Sequence, residues 1–157
     1  LFGDTVQLLK RMNHFQREQI IMMTSGIKEL LDPELLQMKT NSIRFCSPKE
    51  EAFVSALFDL LETKYADEQF DMEECCRHMA MSQSQLYRKT TELFQTSPNN
   101  LLRNYRLVRA LDQLKMQNSN VSQVSFDTGF ASASYFTKCF KSYFGLLPLT
   151  YREAVTG

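Results

Sequence analysis

"MSQSQLYRKTTELF" (residues 81–94) begins with small or polar side chains from Ser82 to Gln85, then sets Leu86, a Tyr87-Arg88-Lys89 cluster and Leu93-Phe94 behind them. "ASASYFTKCFKSYF" (131–144) follows the same plan. Each is preceded by a short helical pattern, so "MEECCRHMAMSQSQLYRKTTELF" (72–94) pairs with "VSQVSFDTGFASASYFTKCFKSYF" (121–144). Cys75-Cys76 then match Val124-Ser125, and Ala80-Met81 match Gly129-Phe130. With one extra residue in the second turn, Leu86 meets Phe136, Tyr87-Arg88 meet Thr137-Lys138, and Pro98 meets Pro148.

The repeat has the physical form of a helix-turn-helix. A small residue inside each first helix (Cys76, Ser125) lets the second helix cross closely. A small residue at each bend (Ala80, Gly129) suits a positive φ, which glycine adopts freely. An apolar residue (Leu86, Phe136) anchors each second helix. A helix that enters the major groove of DNA by its N-terminal part needs slim, hydrogen-bonding side chains in its first turns. An Arg or Lys one turn further on can then reach guanine or a phosphate. Ser84, Tyr87 and Arg88 lie at i, i+3 and i+4 on one face of the first unit, and Ala133, Ser134, Thr137 and Lys138 form the same face of the second. For either stretch alone, the competing explanation is a solvated polar face with ordinary caps. Two copies with matching turns favour the groove-facing one.

The charge pattern points the same way. The chain has 157 residues and a formal net charge of zero, yet residues 1–81 carry 9 Lys and Arg against 14 Asp and Glu, a balance of −5. Residues 82–157 carry 9 against 4, a balance of +5. A basic half attracts a phosphate backbone without conferring sequence specificity.

Other chemistries find little support. At 43% hydrophobic and 23% charged residues, the composition is that of a globular domain. The four cysteines show no CxxC spacing and two are adjacent, which argues against a metal site or disulfide framework. They read as small buried hydrophobes in a reducing cytosol. There is no Gly-rich phosphate loop and no nucleophile with a base at meaningful spacing, so neither an enzymatic reaction nor a cofactor is expected. His14 and His78 are isolated and expected on helix surfaces. Glu50-Glu51 and Glu73-Glu74 sit where the helix dipole favours acids. The eight methionines read as gap-filling core residues rather than an adaptable groove. No run approaches the ~18 apolar residues of a membrane span and no signal peptide opens the chain, so no membrane contact and a cytoplasmic location are expected. Leu1 in place of Met is what a piece of a longer protein would show.

Helical spacing and few punctuating residues predict an all-α protein of seven helices without strands. "TVQLLKRMNHFQREQIIMM" reads as an amphipathic helix over 5–23, "SGIKELLDPELLQMK" as short turns broken at Asp32-Pro33, and "TNSIRFCS" as an extended linker. Ser47-Pro48-Lys49-Glu50 should cap a helix to about Tyr65, buried through Phe53, Leu57, Phe58 and Leu61. Asp71 caps 72–79, Ser82 caps 83–94, and Ser97-Pro98 starts a long helix to Met116. Helices at 121–128 and 132–144 and a turn over 148–153 follow.

The run "SFDTGFASASYFTKCFKSYFGLLPLTYR" (125–152) resembles the signature of AraC-type transcriptional regulators, with its Gly-Phe turn, Ser-Tyr-Phe, Phe-Lys, Gly before Pro and final Tyr-Arg. "MSQSQLYRKT" (81–90) and "SPNNLLRNYRLVRALDQL" (97–114) are similar to the family's first unit and connecting helix, and the resemblance spans roughly residues 50–153. It implies two helix-turn-helix units joined by a long central helix that holds two recognition helices roughly 34 Å apart, in successive major grooves. Ser84, Tyr87 and Arg88 would face bases, with Gln83 and Gln85 beside them. So would Ala133, Ser134, Thr137 and Lys138, with Ser132 at the head of their helix. Ala133 offers only apolar contact, as to a thymine methyl. Lys89 and Lys141 are expected at phosphates. Arg106 is either a phosphate contact or one half of an internal salt bridge, the latter preferred. Cys76 and Ser125 stand where the family often has alanine, Ala80 and Gln95 where it often has glycine, and Thr90 where a larger apolar residue is usual. Thr90 is therefore expected to loosen the first unit.

The chain thus divides into residues 1–47, an N-terminal helical extension serving as linker, dimerisation or signal-transmission segment, and 48–157, the double helix-turn-helix. "LFGDTVQLLKRMNHFQREQIIM" (1–22) is similar to the last receiver helix and linker of bacterial two-component regulators, including hybrid ones. The resemblance makes double-stranded DNA the expected partner. RNA polymerase and a second copy joined through the N-terminal helix are further candidates. The alternative function is a helical protein-interaction module without DNA specificity.

Overall fold

The computed structural model describes residues 21–24, 26, 43–116 and 120–156. Among these are two short strands, β1 (Ile21–Thr24) and β2 (Ile43–Cys46), and seven helices. The helices are α1 (Pro48–Lys64), α2 (Met72–Met79), α3 (Gln83–Phe94), α4 (Pro98–Leu114), α5 (Val121–Asp127), α6 (Ala133–Phe144) and α7 (Pro148–Thr156).

Side-chain caps set the helix starts, because the first amide N–H groups of a helix have no partner within it. Ser47 Oγ accepts from Glu50 N while the Glu50 carboxylate accepts from Ser47 N at 2.7 Å, a capping box with Pro48 at the first helical position. Ser82 and Gln85 form the same box on α3. Asp71, Ser97, Asn120 and Ser132 cap α2, α4, α5 and α6.

Helix α4 is the spine of the molecule, buried on successive stretches by two different cores. Leu101, Leu102 and Tyr105 join Phe53, Leu57, Phe58 and Leu61 of α1, Cys75 and Cys76 of α2, and Leu86, Leu93 and Phe94 of α3. Leu107, Ala110 and Leu114 join Val124, Phe130, Phe136, Cys139 and Phe140 of the second unit. The division falls at Arg106, between Tyr105 and Leu107. Arg106 donates from Nε to the Tyr65 carbonyl (2.8 Å) and from Nη2 to those of Asp67 (2.7 Å) and Phe70 (3.3 Å). It therefore serves three carbonyls of the loop between α1 and α2, of which that of Asp67 also accepts from Phe70 N (3.1 Å). The salt bridge expected for Arg106 is not what holds it, nor is its guanidinium spare for a phosphate. Burial pulls its pKa below the ordinary arginine value, with Asp67 and Glu68 opposing.

The ends of the chain also depart from expectation. Strands β1 and β2 pair in parallel, Ile21 with Ile43 through Thr24 with Cys46, where a helix to residue 23 and an unpaired linker were expected. The sheet replaces part of the helical extension because a short apolar run such as Ile21–Met23 fits either period, and burial decides it. Met22 and Cys46 insert into the first core. Arg44 of β2 ties the sheet onward, donating to the Glu50 carboxylate (2.8 Å) and to the Glu92 carbonyl near the end of α3. The rest of the predicted helix over 5–20, His14 within it, and the turns placed over 27–39 lie outside the described residues. At the other end, residues 148–153 belong to the helix α7 rather than a turn. Pro148 stands at its first position, where no N–H is needed. Tyr151 on α7 packs against Phe140, ring centroids 6.2 Å apart.

All four cysteines are buried and free. Burial pushes the Cys46 and Cys75 thiols up to about 11, so both stay protonated at neutral pH. His78 is exposed beside Glu74 on α2.

Candidate nucleic-acid interface

The two halves repeat down to single backbone hydrogen bonds. In the first unit Met81 N donates to Cys76 O (3.0 Å) and Ala80 N to Arg77 O (3.3 Å). In the second, Phe130 N donates to Ser125 O (3.0 Å) and Gly129 N to Phe126 O (2.9 Å). These bonds close the ends of α2 and α5 through a left-handed residue, Ala80 at φ 51 and Gly129 at φ 81. Cys76 and Ser125 are both buried at the crossing, as their small size predicts. Helices α3 and α6 follow, with Leu86 and Phe136 fully buried as their anchors.

With Leu86 and Phe136 turned inward, the opposite faces of α3 and α6 meet solvent. On α3, Gln83, Ser84, Gln85, Tyr87 and Arg88 are exposed, Tyr87 at 57%. Gln85 is already engaged in the capping box, and Lys89 is half-buried with its Nζ 5.0 Å from the Phe53 ring centroid. On α6, Ser132, Ser134, Lys138 and Lys141 are exposed, while Ala133 and Thr137 are half-buried. Ser132 is used as the cap, and Thr137 Oγ1 donates to the Ala133 carbonyl at 2.9 Å. Ser84, Arg88, Ser134, Lys138 and Lys141 make no hydrogen bond or ion pair among the described residues. Each face therefore offers an uncommitted serine hydroxyl and an uncommitted cation at matching positions.

Two residues not singled out from the sequence belong to this surface. Tyr135 on α6 is 52% exposed and leans on Phe130 (centroids 6.2 Å apart). Arg103 on α4 lines the clefts between the spine and α6. Tyr135 was legible, since it stands where the first unit has Gln85. Arg103 was not, because nothing in "RNYRLVR" says which arginine the fold consumes. Among the described residues, no group of three or more His, Cys, Asp and Glu is arranged to hold a metal ion. None of the described helices is long and apolar enough to cross a membrane.

A family model described as "Helix-turn-helix domain" matches residues 75–154. The chain belongs to the AraC-type helix-turn-helix family. It is 30% identical over 135 residues to histidine kinase P4 of Formosa agariphila, a match covering 81% of this chain and 10% of that protein. It is 31% identical over 87 residues to the HTH-type transcriptional regulator GbdR of Pseudomonas aeruginosa, covering 55% of this chain and 24% of the relative. The chain thus spans about a tenth and about a quarter of these two curated relatives. Among solved structures, the DNA-binding domain of AdpA in complex with a target DNA superposes with TM-score 0.59 at 25% identity, covering 65% of this chain and 90% of that one.

Proposed function

We propose that this AraC-type chain is the DNA-binding output module of a bacterial two-component regulator and reads duplex DNA through α3 and α6 in successive major grooves. The observation that carries it is the duplicated exposed face. On either side of one spine, a helix presents small hydroxyl groups at its N-terminal end and a free cation one turn on, as groove entry requires. In this reading Ser84, Tyr87 and Arg88, with Gln83 and Gln85 beside them, address the bases of one half-site. Ala133, Ser134, Thr137 and Lys138, headed by Ser132, address the other. Lys141, and Lys89 from its seat over Phe53, meet phosphates. Residues 48–157 form the reading domain and 1–47 the segment through which an upstream domain acts. The likeness to a histidine kinase over more of the chain than the double helix-turn-helix supports the two-component setting, and with it a cytoplasmic location.

Selection of bound duplexes from a random pool, at low and moderate salt, tests the proposal. Two short enriched motifs about one helical turn apart support it. Salt-sensitive binding without enrichment would reduce the chain to phosphate contacts. Absence of binding at low salt would favour a helical protein-interaction module instead.

A further inference from the structure

Three arginines stand one turn apart on α4, and the fold uses two of them. Arg106 serves the loop carbonyls described above, and Arg109 pairs with the Glu62 carboxylate, its guanidinium 5.3 Å from the Tyr65 ring centroid. Arg103 makes no hydrogen bond or ion pair among the described residues, although it is half-buried. A long cation held partly out of water without a partner has given up hydration for nothing the free protein shows.

Arg103 stands between two clefts. The larger, about 430 Å³, also carries Glu68 and Asp71, which oppose an anion. The smaller, about 280 Å³, lies between α4 and α6 and is lined by Arg103, Asn104, Tyr135, Lys138, Ser142 and Tyr143 among others, with no acid. Its lining includes Asn104, 3% exposed, whose amide carbonyl has no hydrogen-bond partner. The Asn104 NH2 group and the Ser142 hydroxyl are the further donor types in this lining. The cleft flanks the shaft of α6. A helix lying in a major groove has bases ahead of its tip and the sugar-phosphate backbone along its shoulders, and contacts at the shoulders fix register rather than sequence.

We infer that the cleft between α4 and α6 is a backbone-phosphate site in which Arg103 holds a DNA phosphate at the wall of the groove occupied by α6. The inference rests on the proposed groove placement of α6 and extends it to the spine, which becomes part of the DNA-contacting surface. Arg103 positions the duplex and reads no base.

The test compares the wild-type chain with Arg103→Ala and Arg103→Lys by fluorescence anisotropy on the selected duplex across a salt series. Thermal melting and a repeat of the random-pool selection accompany it. The expected result is a log-affinity versus log-salt slope reduced by about one in Arg103→Ala and retained in Arg103→Lys, since a point charge suffices for a phosphate. The selected motifs and the melting temperatures of both variants should match the wild type. An unchanged slope in Arg103→Ala overturns the inference, and so does a shift of base preference. A fall in melting temperature in both variants overturns it too, by making Arg103 a structural residue. A wild-type chain that selects no paired motif would instead sink the groove placement itself, a different failure from a wild-type success with an indifferent Arg103.

Discussion

Position 90 is a threonine in the first helix-turn-helix unit, and the corresponding place in the second holds Phe140. Both are fully buried, but they do opposite things. Thr90 turns its hydroxyl back to the Leu86 carbonyl (2.8 Å) and borders a void of about 10 Å³ lined by Leu57, Leu61, Met72, Cys75, Pro98 and Leu101. Phe140 sits among Phe136, Phe144 and Tyr151 at centroid distances of 5.6, 4.6 and 6.2 Å. The bends differ in the same sense. The first unit holds Ala80 and Gln95 in the left-handed region at φ 51 and 53, where the second uses Gly129 and Gly145 at φ 81 and 80. Each non-glycine residue there costs about 1–2 kcal/mol. The second unit stands on its own aromatic stack, whereas the first borrows stiffness from α1 and from the sheet fastened by Arg44. One plan for presenting a helix can therefore be supported from within or from outside.

Substitutions can sharpen or break that contrast. Phe140→Ala should have the largest effect, about 3–5 kcal/mol of stability by chemical denaturation, because it removes the centre of the stack and leaves a cavity. If it cost no more than Thr90→Ala, the second unit would not be self-supporting. Gly129→Ala comes next, at about 2–4 kcal/mol. It adds left-handed strain, and its Cβ would fall inside contact distance of the Tyr65 carbonyl oxygen and 2.8 Å from Arg106 Nε. Gly145→Ala has open space around the new Cβ and should cost only the backbone strain, about 1–2 kcal/mol, so the difference between the two glycines isolates the close approach. Arg88→Ala and Lys138→Ala should each weaken binding to the selected duplex by about 1–3 kcal/mol and relax base preference in their own half-site only, with melting unchanged. Equal relaxation in both half-sites would contradict the one-helix, one-groove arrangement. The smallest effects belong to Thr90→Val and Ala80→Gly. Each should shift stability by less than about 1 kcal/mol, the first because the Leu86 carbonyl keeps its backbone partner, the second because relief of strain offsets chain entropy.

The parts legible in the sequence are those governed by neighbours a few residues away. Ser47-Pro48, Asp71, Ser82 and Ser97-Pro98 set the helix starts through bonds to residues two or three positions on, and they stand as expected. The duplication was legible because buried Leu86 and Phe136, and the bends at Ala80 and Gly129, recur in the same order with one extra residue in the second turn. Longer-range pairings left no such trace. Strand β1 finds its partner across residues 25–42, and Arg106 is held by carbonyls, which every residue possesses and no sequence pattern marks. On the surface, the shared exposure of Ser84, Arg88, Ser134 and Lys138 was legible from helical spacing alone. That Arg103 is left without a partner was not, because it depends on what Arg106 and Arg109 bind.

The approach of Gly129 to Tyr65 and Arg106 is backbone against a carbonyl and a guanidinium, with no room between them for a further carbon. It makes the molecule a calliper without an adjusting screw. On the proposed reading, descendants of this chain can respell either half of their target by exchanging residues on α3 or α6. The gap between the two words is set by a joint at which even one added methyl group is costly, and so it should change more slowly than the vocabulary.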